Sequence, residues 1–185
     1  PRRSEPIQAV GERALQRLSS GYGEFDRVLG GGLVPGSLVL VGGDPGIGKS
    51  TLLLQSARAM AARASVLYVS AEESAQQVKL RWRRLAEAST GEPEAGESNA
   101  GADFQLLAET DLELVLQELE ALRPAVAIID SIQALHDAEL GSAPGSVSQV
   151  RECAAALARI AKRQDTALLL VGHVTKEGAL AGPKV

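Results

Sequence analysis

The chain has 185 residues, of which 45% are hydrophobic and 23% charged. This length and composition suit one globular domain with a hydrophobic core and exclude a chain that is disordered throughout. The net charge of −4 excludes a polycation, so any contact with nucleic acid must come from a local basic surface or from several subunits acting together.

Cysteine content and apolar run lengths exclude further classes. Cys153 is the only cysteine, which excludes an intramolecular disulfide and a zinc site built from several thiolates. No apolar run approaches the length needed to cross a bilayer, and residues 1–11 lack the apolar segment of a secretory signal. We therefore expect a cytoplasmic protein without a membrane role, with Cys153 in the core.

The N-terminal part has two predicted segments. Residues 1–17 are polar and are interpreted as an arm that leads to a core at 18–185. The Gly-rich residues 29–36 predict a turn-forming approach to the first strong strand, at 37–41, whose apolar run is typical of a buried strand.

A complete phosphate-binding loop follows this strand and precedes a predicted helix. Its pattern is G-x-x-x-x-G-K-[ST], in which glycines let backbone amides approach phosphate oxygens, the lysine offsets phosphate charge and the serine hydroxyl binds Mg2+. The positive end of the helix dipole favours the same anion. The sequence therefore predicts a site for ATP and Mg2+ formed by Gly43, Asp44, Pro45, Gly46, Ile47, Gly48, Lys49 and Ser50.

Two glutamates follow the next predicted strand, at residues 65–70. A carboxylate at this point can orient a water on the γ-phosphate and act as the general base. Alternatively, Glu72 and Glu73 only favour the start of the following helix through its dipole. We prefer Glu72 as the base, with Glu73 in support.

The helix predicted at 73–88 carries the densest positive cluster, and an acidic segment follows it. Lys79, Arg81, Arg83 and Arg84 form a basic face, which is a candidate DNA contact together with Arg151, Lys176 and Lys184, or else a solvated surface. Residues 89–102 lack large apolar side chains and predict a flexible acidic insertion that tolerates deletion.

Two further strands end in polar residues. The first of them is the strand 125–129, which is followed by Asp130. It comes after a short strand near 104–107 and a helix at 111–122 that Asp111 is expected to cap. Asp130 is typical of a Walker-B residue that holds Mg2+, although alone it would suit a turn. After a loop at 139–148 and a helix at 150–163, the strand 167–171 ends at His173, which is placed either to sense the γ-phosphate or simply to occupy a loop. The alternation of strands and helices predicts an α/β fold with a mostly parallel sheet flanked by helices.

These motifs resemble the RecA-like ATPase core of the RadA (Sms) family of bacterial DNA-repair proteins. The matching stretches are residues 17–21, 24–32, 34–55, YVSAEES at 68–74, 107–110, IDSIQ at 129–133 and GHVTKEG at 172–178. The resemblance implies a RecA-like P-loop NTPase that hydrolyses ATP as a homo-oligomeric ring, a hexamer, on single-stranded or branched DNA. It also implies a role in recombination and repair, with branch migration beside the RecA recombinase.

The resemblance also implies roles for single residues. Residues 43–51, which include Thr51, would bind nucleotide, Ser50 and Asp130 would organise Mg2+, Glu72 would activate water and His173 would sense phosphate. The loop 139–148 and the segment 175–185 would face DNA. Because no positive group in cis is evident, we expect a neighbouring subunit to supply the one that completes the site.

The chain departs from the family pattern in three respects. The family usually carries a four-cysteine zinc module, a Lys-Asn-Arg-Phe-Gly motif and a Lon-protease-like domain, none of which is present in these 185 residues. We therefore expect an ATPase core truncated at its C-terminal side, with impaired turnover, ring formation and DNA binding. The alternatives are a nucleotide-gated module that binds DNA or a partner with little turnover, or another RecA-like helicase or clock-type ATPase, against which GHVTKEG weighs.

Overall fold

The computed structural model describes residues 6–9, 16–90 and 103–173. The strands are β1 (Leu38–Gly43), β2 (Val66–Ser70), β3 (Phe104–Ala108), β4 (Val126–Asp130) and β5 (Ala167–His173). The α-helices are α1 (Gly23–Val28), α2 (Lys49–Ala61), α3 (Ala75–Thr90), α4 (Leu112–Leu122) and α5 (Val147–Gln164), and short 3-10 helices cover Ile7–Ala9 and Ile132–Ala134.

The five strands form one parallel sheet in the order β1-β5-β4-β2-β3. The predicted α/β fold with a parallel sheet is thereby confirmed. The register aligns Gly43 with His173 and Ser70 with Asp130. Because the carboxyl ends of parallel strands meet at one edge of a sheet, the polar residues that follow these strands are brought together there.

Helices cover both faces of the sheet, and each face has its own hydrophobic cluster. In β2, Leu67 and Val69 belong to the cluster that includes α4 and α5, whereas Val66 and Tyr68 belong to the one that includes α2 and Val78 of α3. This alternation follows from the two-residue period of a strand. Cys153 is fully buried in the first cluster, as predicted, and burial raises the pKa of its thiol to about 11.

β1 differs from the expected buried strand. Its side chains at Leu38 and Leu40 are 45% and 47% exposed, because β1 is the outer strand of the described sheet and pairs with β5 on one side. An apolar run does not distinguish an inner strand from an outer one, so the sequence pattern could not reveal this position.

Local hydrogen bonds explain several element boundaries. Asp111 caps α4 as predicted, accepting from the amides of Glu113 and Leu114. A helix that was not predicted, α1, precedes the Gly-rich approach to β1, and its Asp26 accepts from the Ser19 hydroxyl and from the amide of Ser20. α5 begins three residues earlier than expected, at Val147, because Ser146 caps it.

Two predicted segments lie largely outside the described residues. Of the arm at 1–17, only residues 6–9, 16 and 17 are described, and the Arg17 guanidinium donates to the carbonyls of Leu29 and Gly32. Of the insertion at 89–102, the first two residues continue the helix α3, and residues 91–102 are outside the described part. Within the described ranges, no helix is long and apolar enough to cross a membrane.

Candidate nucleotide-binding site

The phosphate-binding loop connects β1 to the start of α2. Gly46 and Gly48 have φ angles of 80° and 96°, a left-handed conformation that glycine adopts without strain. Gly48 is the N-cap of α2 and makes no side-chain capping bond, so no cap side chain takes the first amides of the helix. An uncapped helix start with its positive dipole end is a fitting receptor for a phosphate oxygen.

Lys49 places its ammonium group beside this loop. The residue is only 7% exposed, and its Nζ donates to the carbonyl oxygens of Gly43 and Asp44, each at 2.8 Å. The same Nζ lies 3.4 Å from Nδ1 of His173, the residue aligned with Gly43 across the sheet. The loop carbonyls therefore hold the cation at the end of β1 and β5.

A polar cleft of about 340 Å³ opens at this edge of the sheet. Its volume lies in the range typical of small-molecule sites. The lining residues are Pro45, Gly46, Gly48, Lys49, Ser50, Thr51, Glu72, Arg81 and His173. The structure therefore gathers most of the predicted site residues around one cleft. Gly43 and Asp44 contribute through their bonds to Lys49, whereas the Ile47 side chain is 69% exposed.

Glu72 is the centre of a hydrogen-bonded group in this cleft. Its Oε1 accepts from the Ser131 hydroxyl and lies 3.1 Å from Nε2 of His173. Because the Lys49 ammonium can only donate, a hydrogen bond from it to Nδ1 leaves Nε2 as the ring nitrogen that carries a proton. His173 then donates to Glu72, and the two residues predicted to act on the γ-phosphate are in direct contact.

Asp130 ends β4 with a partner that sequence analysis missed. The residue is 7% exposed, is absent from the cleft lining above, and accepts a hydrogen bond at Oδ2 from the hydroxyl of Tyr68 at 2.6 Å. Burial, reinforced by the Asp130 charge, raises the pKa of Tyr68 far above its usual range, so the phenol remains a donor. Tyr68 is 62 positions away in sequence, and strand pairing is what brings the two together.

The donor atoms at this edge suit Mg2+. A serine hydroxyl and a carboxylate are hard oxygen ligands, and protein Mg2+ sites commonly use one or two such groups completed by substrate phosphates and water. Among the described residues there is no group of three or more His, Cys, Asp or Glu that would form a cage of protein ligands. The arrangement fits a cation that arrives with a nucleotide, and the assignment of Ser50 and Asp130 to it stays a prediction.

Arg81 also lines the cleft, although the sequence indicated no positive group in cis. Its guanidinium forms an ion pair of 2.5 Å with Glu73, and the two side chains are 29% and 32% exposed. Sequence periodicity placed Arg81 with Arg83 on one basic face, but Arg83 is exposed and Arg81 is turned towards the nucleotide loop. The direction of one side chain on a surface helix depends on tertiary packing, which periodicity does not report.

Two glutamines connect the segments that surround the site. Gln133 donates to the carbonyl of His173 at 3.0 Å and so joins the turn after β4 to the end of β5. Gln149, only 1% exposed, donates to the carbonyls of Asp137 and Ser142 and holds the loop between β4 and α5. The loop predicted at 139–148 is thus anchored at its base.

A larger cleft, of about 470 Å³, lies elsewhere on the described part of the chain. It is lined by Glu120, Arg123, Arg163, Gln164 and Asp165. These residues stand where α4 and α5 end and β4 and β5 are about to begin, at the amino ends of the strands. Ligands of open α/β sheets bind at the carboxyl ends, so the smaller cleft is the candidate site.

Known proteins are similar to this chain in sequence. A family profile described as an AAA domain matches residues 23–179. The DNA repair protein RadA of Synechocystis is 62% identical over 91% of this chain and 35% of its own length. RadA of Listeria monocytogenes is 49% identical over 100% of this chain and 38% of its own length. The chain thus spans little more than a third of these relatives.

Solved structures show the same fold at low sequence identity. A KaiC-like protein of Pyrococcus horikoshii has a TM-score of 0.67 at 22% identity, covering 89% of this chain and 74% of its own. A DnaB-like replicative helicase has a TM-score of 0.69 at 16% identity, covering 92% of this chain and 46% of its own. The expected RecA-like fold is confirmed. The chain belongs to the AAA domain family and resembles, within it, the RecA-like ATPase core of the RadA DNA repair proteins.

Proposed function

We propose that this chain is the ATP-hydrolysing core of a RadA-type motor in DNA repair and recombination. The observation that carries the proposal is the single cleft in which Lys49, Glu72 and His173 meet beside the phosphate-binding loop. A buried cation, a carboxylate and an imidazole at the start of an uncapped helix suit phosphoryl transfer to water.

In this reaction, a water oxygen forms a bond to the γ-phosphorus while the bond to the β,γ-bridging oxygen breaks. Glu72 takes the proton of the water, and ADP leaves with the bridging oxygen, so atoms and charge balance. Lys49 and the loop amides offset the negative charge of the phosphates. The Nε2–H of His173, which contacts Glu72 in the free protein, turns to form a hydrogen bond with the γ-phosphate. Mg2+, held by Ser50 and Asp130, would neutralise further phosphate charge.

Arg81 is proposed to add positive charge in cis, alongside any group that a neighbouring subunit supplies. Changing Arg81 to methionine should weaken ATP binding by roughly fivefold, because a partly buried guanidinium in the cleft then no longer offsets phosphate charge. Nucleotide affinity measured by fluorescence titration checks this.

The matched control for this change is Arg83→Met, which removes an exposed arginine from the same helix and should leave affinity unchanged. A Glu73→Gln background removes the carboxylate that Arg81 pairs with. If Arg81→Met weakens ATP binding only while Glu73 is present, the effect comes from the unpaired carboxylate, and the role of Arg81 is contradicted.

The proposal includes a DNA substrate, branch migration, a hexameric ring and cooperation with RecA. It also includes a cytoplasmic setting. These features are supported by the similarity to RadA proteins, whose name states a role in DNA repair. The anchored loop at 139–148 contains Glu139 and no lysine or arginine. Because this loop has no cationic side chain, contacts to DNA phosphates are assigned to Arg151, which is exposed, and to Lys176 and Lys184, which lie outside the described residues.

Phosphate release should rise when single-stranded or branched DNA is added, and this stimulation should fall steeply as salt increases, because cationic contacts to phosphates release counterions. The affinity for single-stranded DNA is measured as salt is raised. Changing Lys176 and Lys184 together to alanine should make the slope of the logarithm of the binding constant against the logarithm of salt concentration less steep by about 1.4, or 0.7 for each lost contact. Turnover and ATP affinity are measured side by side. Tight ATP binding without phosphate release, with or without DNA, would favour the nucleotide-gated binding module instead.

A further inference from the structure

We propose that Tyr68 is a positioning residue for Mg2+: its hydroxyl holds the Asp130 carboxylate in the orientation that receives the cation of Mg-ATP. This inference rests on the proposed function and deepens it, because it names the residue on which the metal ligand depends.

The register of the sheet explains how the two groups meet. Tyr68 of β2 is aligned with Ile128 of β4, two residues before Asp130. The side chain bridges this offset, so that its ring is buried, at 1% exposure, while its hydroxyl reaches Oδ2 of Asp130 at 2.6 Å. Packing of the ring near Phe104, with centroids 6.2 Å apart, gives the hydroxyl a fixed position.

The bond has consequences for the carboxylate. Asp130 is 7% exposed, so water can satisfy little of its charge, and a short bond from a phenol is a strong, charge-assisted one. Engaging Oδ2 restricts rotation of the carboxylate and leaves Oδ1 as the oxygen available to a cation or to its water ligands. Residues that orient a metal ligand in this way typically change metal affinity by 10- to 100-fold when they are removed.

A structural role alone would have a different signature. If Tyr68 only stabilised the core, its hydroxyl would affect the free energy of unfolding and nucleotide binding in the same way with or without metal. If it positions Asp130, the effect of removing the hydroxyl should appear only when Mg2+ is present. Tyr68→Phe separates the two cases because the ring and its packing stay.

The experiment measures the affinity of the protein for a fluorescent ATP analogue in EDTA and at increasing Mg2+. In Tyr68→Phe, the Mg2+ concentration at half-maximal gain in affinity should rise about tenfold, while affinity in EDTA stays unchanged. Tyr22→Phe is the matched control, since it removes the hydroxyl of a tyrosine that is 38% exposed and stands before α1. In an Asp130→Asn background, Tyr68→Phe should have no further effect.

The remaining outcomes contradict either the role of Tyr68 or the proposed function. An unchanged Mg2+ requirement in Tyr68→Phe, an equal loss of affinity in EDTA, or failure of this variant to fold would each overturn the positioning role. A wild-type protein that binds ATP with no response to Mg2+, or does not bind ATP, would instead contradict the proposed function. The two failures are therefore distinguishable in one set of titrations.

Discussion

Replacing Lys49 with alanine should lower ATP hydrolysis by at least about 100-fold and weaken ATP binding by roughly 10- to 100-fold. The side chain is 7% exposed, and its ammonium is held between the carbonyls of Gly43 and Asp44 at the mouth of the cleft. The described cleft contains one other cationic side chain, Arg81, which already pairs with Glu73. Steady-state phosphate release and nucleotide titrations measure the two effects.

Lys162→Ala is the control for this change. It removes an exposed lysine from the last turn of α5, remote from the phosphate-binding loop, and should leave both quantities within about twofold of wild type. If Lys49→Ala bound ATP as tightly as this control while remaining folded, the phosphate-binding assignment of residues 43–50 would be wrong.

The architecture could be predicted from sequence because its signals are local. Strands of five to seven residues alternate with amphipathic helices, and Asp111 lies where an N-cap is expected. The exposure of Leu38 and Leu40 could not be predicted, since it depends on which strands flank β1 and not on the residues of β1 themselves.

In the candidate site, too, local sequence patterns predict some residues, and contacts between distant parts of the chain determine others. The phosphate-binding loop is a contiguous motif with a fixed spacing. Glu72, Asp130 and His173 each lie within two residues of the carboxyl end of a predicted strand, which predicts their common edge. Tyr68 is an ordinary strand aromatic in sequence, and only the pairing of β2 with β4 reveals its bond to Asp130.

Charged and polar side chains on helices were the hardest to assign. Arg81 shares a basic segment with Arg83, yet its contact with Glu73 directs it to the cleft. Gln149 is inconspicuous near the start of an amphipathic helix, although it is buried and binds several carbonyls of the preceding loop. In both cases the partner is set by tertiary contacts that a helical period does not encode.

Glu72→Gln should reduce ATP hydrolysis by about 100- to 10,000-fold, which is the usual contribution of a general base. Glutamine has nearly the same shape and keeps an oxygen that can accept from Ser131 and His173, so the hydrogen-bonded group survives. What is lost is the ability to take a proton from water. ATP affinity should therefore stay within about threefold of wild type, since the interaction removed is one made in the transition state.

Glu73→Gln tests whether loss of any carboxylate from this turn lowers ATP hydrolysis, or only loss of the one at position 72. It removes one carboxylate from the same turn and breaks the ion pair with Arg81, but it leaves the contacts of Glu72 in place. We expect its turnover to stay well above that of Glu72→Gln, because Glu73 is assigned a supporting role and does not receive the proton.

The central claim is tested most directly by phosphate release at saturating Mg-ATP. It is measured with DNA present in the full-length protein, for wild type, Glu72→Gln and Glu73→Gln. The account predicts hydrolysis in wild type, near-complete loss in Glu72→Gln with ATP still bound, and a much smaller loss in Glu73→Gln. DNA-stimulated hydrolysis that persists in Glu72→Gln would contradict the assignment of this cleft as a hydrolysis site with Glu72 as its base.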